Sequence, residues 1–469
     1  MNLEASTPRK EKYDRQSTVD LEAINPENGR AGALVAAGRD GRGRAFQPVR
    51  VRLEPSASLS WNPRGDSATV VRLAYSRSYS PNPIYGGQWG TQGFNGTPTF
   101  VSPNVQLQPA VTLSAGVPPP ARPLPDLRPD AVNHTVADLV DTTNRQPTYQ
   151  SASMAVERAL PGAMVVTMGA AHSTGRNMFV SNTAANPNAI PLEALEYRDR
   201  LNDEVFNRSL RPYPQYQRFD VYSSYPIARY QRDAGYLRLE KRTSQGLSLN
   251  ASYEFSKQMD DYSGPYGLQD FFHRRNEWSL TSSNAPHRFS LNYIYELPFG
   301  ASRTFLAVTD WRRYLVEGWS VSGTTTVASG DPIALRPQFN NTGNVVDALH
   351  INVVPGADPH VPDRGPELWF NPAAFAHPAD FTLGNASRTH STLLSPGNQN
   401  HDVSFTKRFA LAAERTLEFS AAGFNFLNHA NWNEPDTTIG LPGAPNVNAG
   451  RIIGSRGGRV IQMGMRFSF

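Results

Sequence analysis

The sequence predicts an all-β protein, an antiparallel transmembrane β-barrel with long loops on one rim. Three observations predict it. The chain closes on Arg-Val-Ile-Gln-Met-Gly-Met-Arg-Phe-Ser-Phe, residues 459 to 469, in which Ile461, Met463, Met465, Phe467 and Phe469 alternate with Gln462, Gly464, Arg466 and Ser468. Successive side chains of a strand point to opposite faces, so this segment has one apolar face and one polar face. A barrel in lipid needs that division, with a strand of about 10 residues to cross. The connections between alternating segments are short and long by turns, the pattern of a barrel with tight turns on one rim and loops on the other. Finally, no stretch approaches about 18 consecutive apolar residues, so no transmembrane helix competes.

Residues 1–47 are polar and are expected to be irregular. Within them Arg39-Asp-Gly-Arg-Gly-Arg44 is a basic run, expected to be a solvated loop; no strand–helix context supports a phosphate site. Alternation begins at Val49 and runs to Trp61, and Asn62-Pro-Arg-Gly-Asp66 carries turn residues. A second strand covers about 67–77, with Val71, Leu73 and Tyr75 on one face. Residues 78–147 lack periodicity and include Pro118-Pro-Pro120, so they are expected to form a long loop on a rigid scaffold.

Strands at 148–158 and 163–171 flank Ala159-Leu-Pro-Gly162, and Met164, Val166, Met168 and Ala170 share a face. The next long stretch, 172–235, contains a helical turn near 192–197. The clearest hairpin joins 236–242 to 247–257 through Thr243-Ser-Gln-Gly246. About thirty residues of loop lead to His287, then a strand over 289–297, a connector, and a strand over 318–329. Residues 330–399 form a loop. Strands at 401–409 and 415–427 follow, the second changing phase near Ala421-Ala-Gly423, where a bulge is expected. Loop 428–458 precedes the final strand.

Eleven strands follow from this reading. With short turns at the periplasm, the terminal strand descends and Phe469 lies on the periplasmic side. Bacterial barrels use even strand numbers. At least one leading strand is therefore expected to be missing, and the chain reads as the carboxy-terminal part of a longer protein. The amino-terminus lacks the apolar run of a secretory signal, so a signal peptide is expected to be absent here.

Composition agrees. Charged residues are 18% and aromatics 10%, while 38 Pro and 36 Gly favour turns over helices. The net charge of +4 is spread along the chain and points to no nucleic-acid partner. Cysteine is absent, which removes disulfides, thiolate nucleophiles and Cys-ligated zinc.

Several stretches resemble the barrel domain of Oar-like TonB-dependent transporters. They are Glu11-Lys-Tyr-Asp-Arg-Gln-Ser-Thr18, Ala251-Ser-Tyr-Glu-Phe-Ser-Lys-Gln-Met-Asp-Asp261, residues 286–300 from Pro-His-Arg-Phe to Leu-Pro-Phe-Gly, Trp369-Phe-Asn-Pro-Ala-Ala-Phe375, Phe424-Asn-Phe-Leu-Asn-His429 and the terminal strand. The likeness is strongest over 236–469. It implies about 22 strands in the whole barrel, of which this chain would supply about half or more over 48–469. It also implies a plug and a TonB-contacting segment, neither recognisable here, so TonB would be reached only through a missing plug.

No enzymatic constellation stands out: there is no His-Glu-x-x-His, Gly-x-Ser-x-Gly or P-loop. No cofactor or metal is expected. Asp260-Asp261 allows either a divalent cation with loop carbonyls or a solvated loop start, and the second is favoured. His273, His287 and His401 lie far apart, with no metal spacing. Trp311, Trp319, Tyr293 and Tyr295 are candidates for aromatic girdles, as are Phe299, Phe467 and Phe469. Gln462, Arg466 and Ser468 are expected to face the lumen. Phe469, with Phe467 and Met465, is expected to be the signal read by the barrel-assembly machinery.

The expected function is uptake of an unidentified solute across the outer membrane of a Gram-negative cell, with lipid as a partner and extracellular loops. The alternative is a secreted or surface β-rich module binding carbohydrate or protein. That module would need its apolar rows turned inward.

Overall fold

The computed structural model describes every residue except 1, 9, 67, 81–89, 96–108, 113, 115, 117–122, 183, 222–224, 264–265, 302 and 412–414. The proline run at 118–120 lies outside the described residues. The alternating segments build one sheet. Its strands are β1 (Ser56–Trp61), β2 (Thr69–Tyr79), β3 (Thr148–Leu160), β4 (Met164–Val180), β5 (Tyr225–Ser244), β6 (Leu247–Asp260), β7 (His287–Glu296), β8 (Trp319–Ala328), β9 (Asn398–Ala410), β10 (Thr416–Phe424) and β11 (Val460–Ser468). They lie side by side in chain order, each antiparallel to the next. A twelfth short strand, Ser279–Leu280, leaves this path and pairs with β6. The eleven strands expected from the sequence are all present. Among the described residues the sheet is open: β1 and β11 are its edges and do not pair, so no closed barrel forms.

Register aligns the alternation of all eleven strands. One row runs Leu59, Leu73, Met154, Ala170, Gly235, Phe255 across β1 to β6. On the far side, Met463 lies opposite Ala421, Ala421 opposite Phe405 and Phe405 opposite Val321. These large apolar side chains are exposed: Met463 by 81%, Met168 by 63% and Leu59 by 56%. The soluble-module alternative fails here, because its apolar rows would have to be buried.

The opposite face is polar and bonded across strands. Ser252 and Ser290 hydroxyls lie 2.7 Å apart. Thr324 Oγ1 donates to Asn292 at 2.9 Å, and Arg408 pairs with Glu418 at 3.0 Å. Glycines on this face make room for aromatic rings. A Cβ on Gly169 would lie 2.5 Å from the Tyr236 ring, and one on Gly175 would lie 2.1 Å from Tyr230. Aromatic cover of a strand glycine recovers packing that the glycine cannot supply.

The tight turns follow from local chemistry. Gln245 and Gly246 both have positive φ, 54° and 76°, as a two-residue hairpin of the primed type requires. Asn62 Oδ1 accepts from the Arg64 and Gly65 N–H groups at 3.2 and 2.8 Å, and Gly65 takes φ 67°.

Four expectations need correction. Residues 1–47 are not irregular: Asn2–Ser6 pairs antiparallel with Arg50–Glu54, and Ser17–Ile24 forms a hairpin with Ala31–Ala36. The first strand breaks at Pro55, which has no N–H to give a ladder. β4 and β5 run well past their expected ends. Their outer faces turn polar at His172, Thr174 and Arg176, so the apolar signal stops while the backbone ladder continues. No bulge occurs at 421–423; β10 keeps unbroken register with both neighbours, and shifts occur instead in β5 around Ala228.

The buried core lies in the long connections and the hairpin at 17–36, and the outer ends of β4 and β5 reach it. Tyr216, Phe370, Ile190, Leu268, Ile333, Ile351 and Leu393 are its largest fully buried side chains. They belong to three clusters. One joins the hairpin at 17–36 to parts of 132–139, 180–228 and 268. The second lies within 333–449, and the third joins 190–210 to 345–349 and 381–383.

Candidate functional site

The site is the layer formed by the long connections. Antiparallel strands in chain order send alternate connections to opposite rims. The turns at 62–68, 161–163 and 245–246 and the connectors at 297–318 and 411–415 leave one rim; the segments 80–147, 181–224, 261–286, 329–397 and 425–459 leave the other. The predicted helical turn lies in a 3-10 stretch over Leu192–Asn202 that is broken by a kink at Arg198, followed by an α-helix, Glu204–Ser209, whose Asp203 caps the Phe206 N–H at 2.8 Å.

Asp260 and Asp261 fasten this layer to β6. The favoured reading of them, a solvated loop start, does not hold. They are buried, and among the described residues no cluster of three acidic or histidine groups stands ready for a metal. Arg388 Nη2 donates to Asp260 Oδ1 at 2.6 Å and to the Asp260 carbonyl at 2.8 Å. Thr281 Oγ1 donates to Asp260 Oδ2 at 2.9 Å. Arg274 holds Asp261 at 3.3 Å and donates to Ala184 O at 2.6 Å, linking a third connection.

Beside this pair lies Glu277, 1% exposed. Its Oε1 accepts the N–H groups of Gln269 and Asp270 at 3.0 and 2.8 Å. Burial raises its carboxyl above the usual range. His350 Nε2 sits 3.5 Å from Glu277 Oε2, and burial pushes the imidazole down to about 4. His350 Nδ1 donates to Ala386 O at 3.0 Å, which leaves Nε2 as an acceptor. Burial disfavours the charged form of each group, and the two facing atoms, Glu277 Oε2 and His350 Nε2, are buried without a hydrogen-bond partner.

A cavity of about 420 Å³ opens between the 181–224 and 329–397 segments. Arg211, Arg218, Asn186 and Asp347 bring polar groups to it, with Ile190 and Phe219 supplying apolar wall. Asn186 Nδ2 donates to Asp347 at 3.3 Å. Burial raises the Asp347 carboxyl, opposed by the two arginines.

The residues singled out from sequence do not converge on one site. Gln462, Arg466 and Ser468 lie opposite Ala422, Glu418 and Thr416, on the polar face. Met465 lies opposite Phe419 on the apolar face. Phe467 and Phe469 stack with centroids 5.7 Å apart. Tyr293 and Tyr295 occupy the apolar face of β7, opposite Gly323 and Val321. Trp319 starts β8 and donates Nε1–H to Leu315 O at 2.8 Å; Trp311 is exposed in the connector before it. His273 meets Asp270, His287 meets the Tyr253 hydroxyl and His401 meets Thr325, so the three remain apart. The 39–44 run is an exposed turn in which Arg42 pairs with Asp20 and Arg44 with Asp14.

Glu277, His350, Arg274 and Arg388 were missed by sequence reasoning. They lie in segments without periodicity and meet only when the connections pack.

A meander of antiparallel strands with one exposed apolar face, one polar face and elaborate connections on one rim is the pattern of an outer-membrane barrel protein. The chain belongs to the outer membrane beta barrel domain family, whose model matches residues 3–462. No curated protein sequence matches it. Among solved structures it is similar to the outer membrane transporter YddB from Escherichia coli, with 9% identity over 93% of this chain and 42% of that one and a TM-score of 0.43. It is similar also to the pyoverdine receptor FpvA from Pseudomonas aeruginosa PAO1, with 7% identity, 93% and 38% coverage and a TM-score of 0.40. BauA, the ferric preacinetobactin receptor from Acinetobacter baumannii, gives 10% identity, 93% and 39% coverage and a TM-score of 0.40. The chain spans less than half the length of these proteins.

Proposed function

We propose that the chain forms part of the barrel wall and the loop layer of an Oar-like TonB-dependent outer-membrane transporter that takes up a scarce solute. The observation that carries this reading is the division of one continuous sheet into an exposed apolar face and a hydrogen-bonded polar face. An open sheet edge is untenable in hydrocarbon, because its N–H and C=O groups find no partner there. Further strands would therefore close the cylinder, and a plug would gate it. Energy would arrive from the inner membrane through TonB and that plug.

In this reading the chain is no enzyme. The long connections 80–147, 181–224, 329–397 and 425–459 face outward and catch the solute. Gln462, Arg466 and Ser468 line the lumen. Tyr293, Tyr295, Trp311 and Trp319 belong to an interfacial girdle, and Phe469 is the terminal signal for the assembly machinery, at the periplasmic side.

The test uses the producing bacterium. Deleting the gene should leave one or more solutes in spent medium that the parent strain depletes. Dissipating the proton gradient in the parent should preserve the same solutes. Identical depletion by both strains across nutrient-limited media sinks the transport reading.

A further inference from the structure

The cavity between the 181–224 and 329–397 segments has fixed walls. Asn188, a lining residue 2% exposed, staples one of them: its Nδ2 donates to Tyr213 O at 3.1 Å and to Tyr216 O at 3.3 Å, and its Oδ1 accepts the Tyr213 N–H at 2.9 Å. Asn207 ties the two segments together, donating from Nδ2 to Leu201 O at 3.1 Å and to Gly343 O at 2.6 Å. Ile190 and Val345, from opposite segments, pack in one buried cluster. Walls held in this way lower the ordering cost of binding.

The charged groups of the cavity face one another without closing. Arg211 Nη1 donates to Gln217 O, but its Nε–H is buried and has no acceptor. Buried donors in folded proteins are nearly always satisfied. Arg218 makes no hydrogen bond or ion pair among the described residues, and the side-chain amides of Gln217 and Asn344 make no hydrogen bond there either. Asp347 accepts from Asn186 Nδ2 at 3.3 Å and forms no ion pair with either arginine. It is open to solvent, yet the protein around it raises its carboxyl, and burial holds the Arg211 guanidinium below its ordinary value. Glu204 and Arg208, the other charges near Arg211, pair with each other at 2.8 Å.

We propose that this cavity binds a short acidic peptide with both ends free, roughly two or three residues long. Arg211 takes the terminal carboxylate through Nε–H, Asp347 takes the terminal ammonium, and Arg218 takes the acidic side chain. The amides of Gln217 and Asn344 meet the peptide bond. Charge selects this class. A simple anion would answer the arginines and be repelled by Asp347. A neutral sugar would leave the charges of both walls without a counter-charge. A zwitterion answers both, and the surplus arginine favours one further carboxylate. A volume of about 420 Å³ lies at the small end for ligand sites, which admits a small peptide and excludes a folded protein segment. The inference rests on the uptake reading only in making such a peptide the solute. Binding needs no transport, so the two readings fail separately.

The full chain, folded in detergent, is titrated calorimetrically with alanyl-glutamate, its N-acetyl form, its α-amide, alanyl-glutamine, citrate and glucuronate. Alanyl-glutamate should bind, and blocking either end should weaken it about tenfold or more. Alanyl-glutamine should also bind more weakly. D347N should bind the free and acetylated peptides alike, and R211Q the free and amidated peptides alike. R408Q, near the opposite rim, should keep both preferences. Blocked peptides bound as tightly as the free one overturn the proposal. So do tighter binding of citrate or glucuronate, no binding of alanyl-glutamate at millimolar concentration, and unchanged preferences in folded D347N and R211Q. Should the variants fail to fold, the same ligands on the unaltered chain decide alone.

Discussion

Asp260 shows how a single residue departs from its sequence environment. It ends an alternating strand beside a second aspartate, where a solvated loop start is the natural expectation. Instead its carboxylate is fully buried against Arg388, 128 residues further along the chain. Removing one partner of a buried ion pair strands the other charge away from water. D260N should therefore destabilise the connection layer by about 3–5 kcal/mol. The expected readout is faster proteolysis within 329–397, and unchanged cleavage would show that Arg388 finds water or another partner.

His350 makes the corresponding acid prediction. Its folded pKa of about 4 lies below the ordinary 6.5, so its contribution is complete above pH 6.5 and is lost as pH falls toward 4. The loss is at most ~3 kcal/mol. Glu277, with its carboxyl raised by burial, works in the opposite direction, gaining as pH falls. Amide exchange of residues 266–280 should speed up between pH 6.5 and 4, and H350Q should flatten that rise. A slope unaltered in H350Q would remove the imidazole as its cause.

At the scale of the element, strand identity was read correctly because alternate side chains of one backbone fall on an apolar and a polar face. β11 is the clearest instance. Met463 and Met465 project from the apolar face and Gln462 from the polar one. A lysine on the lipid face of a barrel costs about 2–4 kcal/mol at the bilayer midplane, whereas one in the lumen is tolerated. M463K should reduce the heat-modifiable, membrane-inserted fraction, while Q462K should not. Deletion of Phe469 should reduce the same fraction if it is the assembly signal. Equal insertion of M463K and Q462K would contradict the assignment of faces.

Strand ends were less legible. Alternation reports the environment of side chains, not backbone pairing. β4 therefore continues to Val180 and β5 begins at Tyr225, although their outer rows become polar well inside those limits. At about 3.3 Å per residue, the 20 residues of β5 reach some 66 Å, much more than a bilayer needs. The surplus carries the connections beyond the rim. The hairpin at 17–36 escaped notice for a related reason: its buried residues pack against distant connections and leave no long periodic pattern of their own.

The whole molecule divides stability between two unlike regions. The sheet leaves its apolar face exposed, and the connections with the hairpin at 17–36 bury a conventional core. This arrangement sets an orientation that can be tested on intact cells. Protease added outside should cut within the long connections and spare the turn at 245–246, which should become accessible only after the outer membrane is opened. Cleavage at that turn in intact cells would invert the proposed orientation.

The sequence by itself determined the eleven strands of the main sheet and their two faces. Those properties are local: a two-residue period and a tight turn act within about ten residues. The connection layer was decided only by tertiary structure. Its ion pairs, the Glu277–His350 contact and the cavity beside Asp347 join residues separated by as much as 161 positions. No period links such partners, and each becomes favourable only once its neighbours have excluded water.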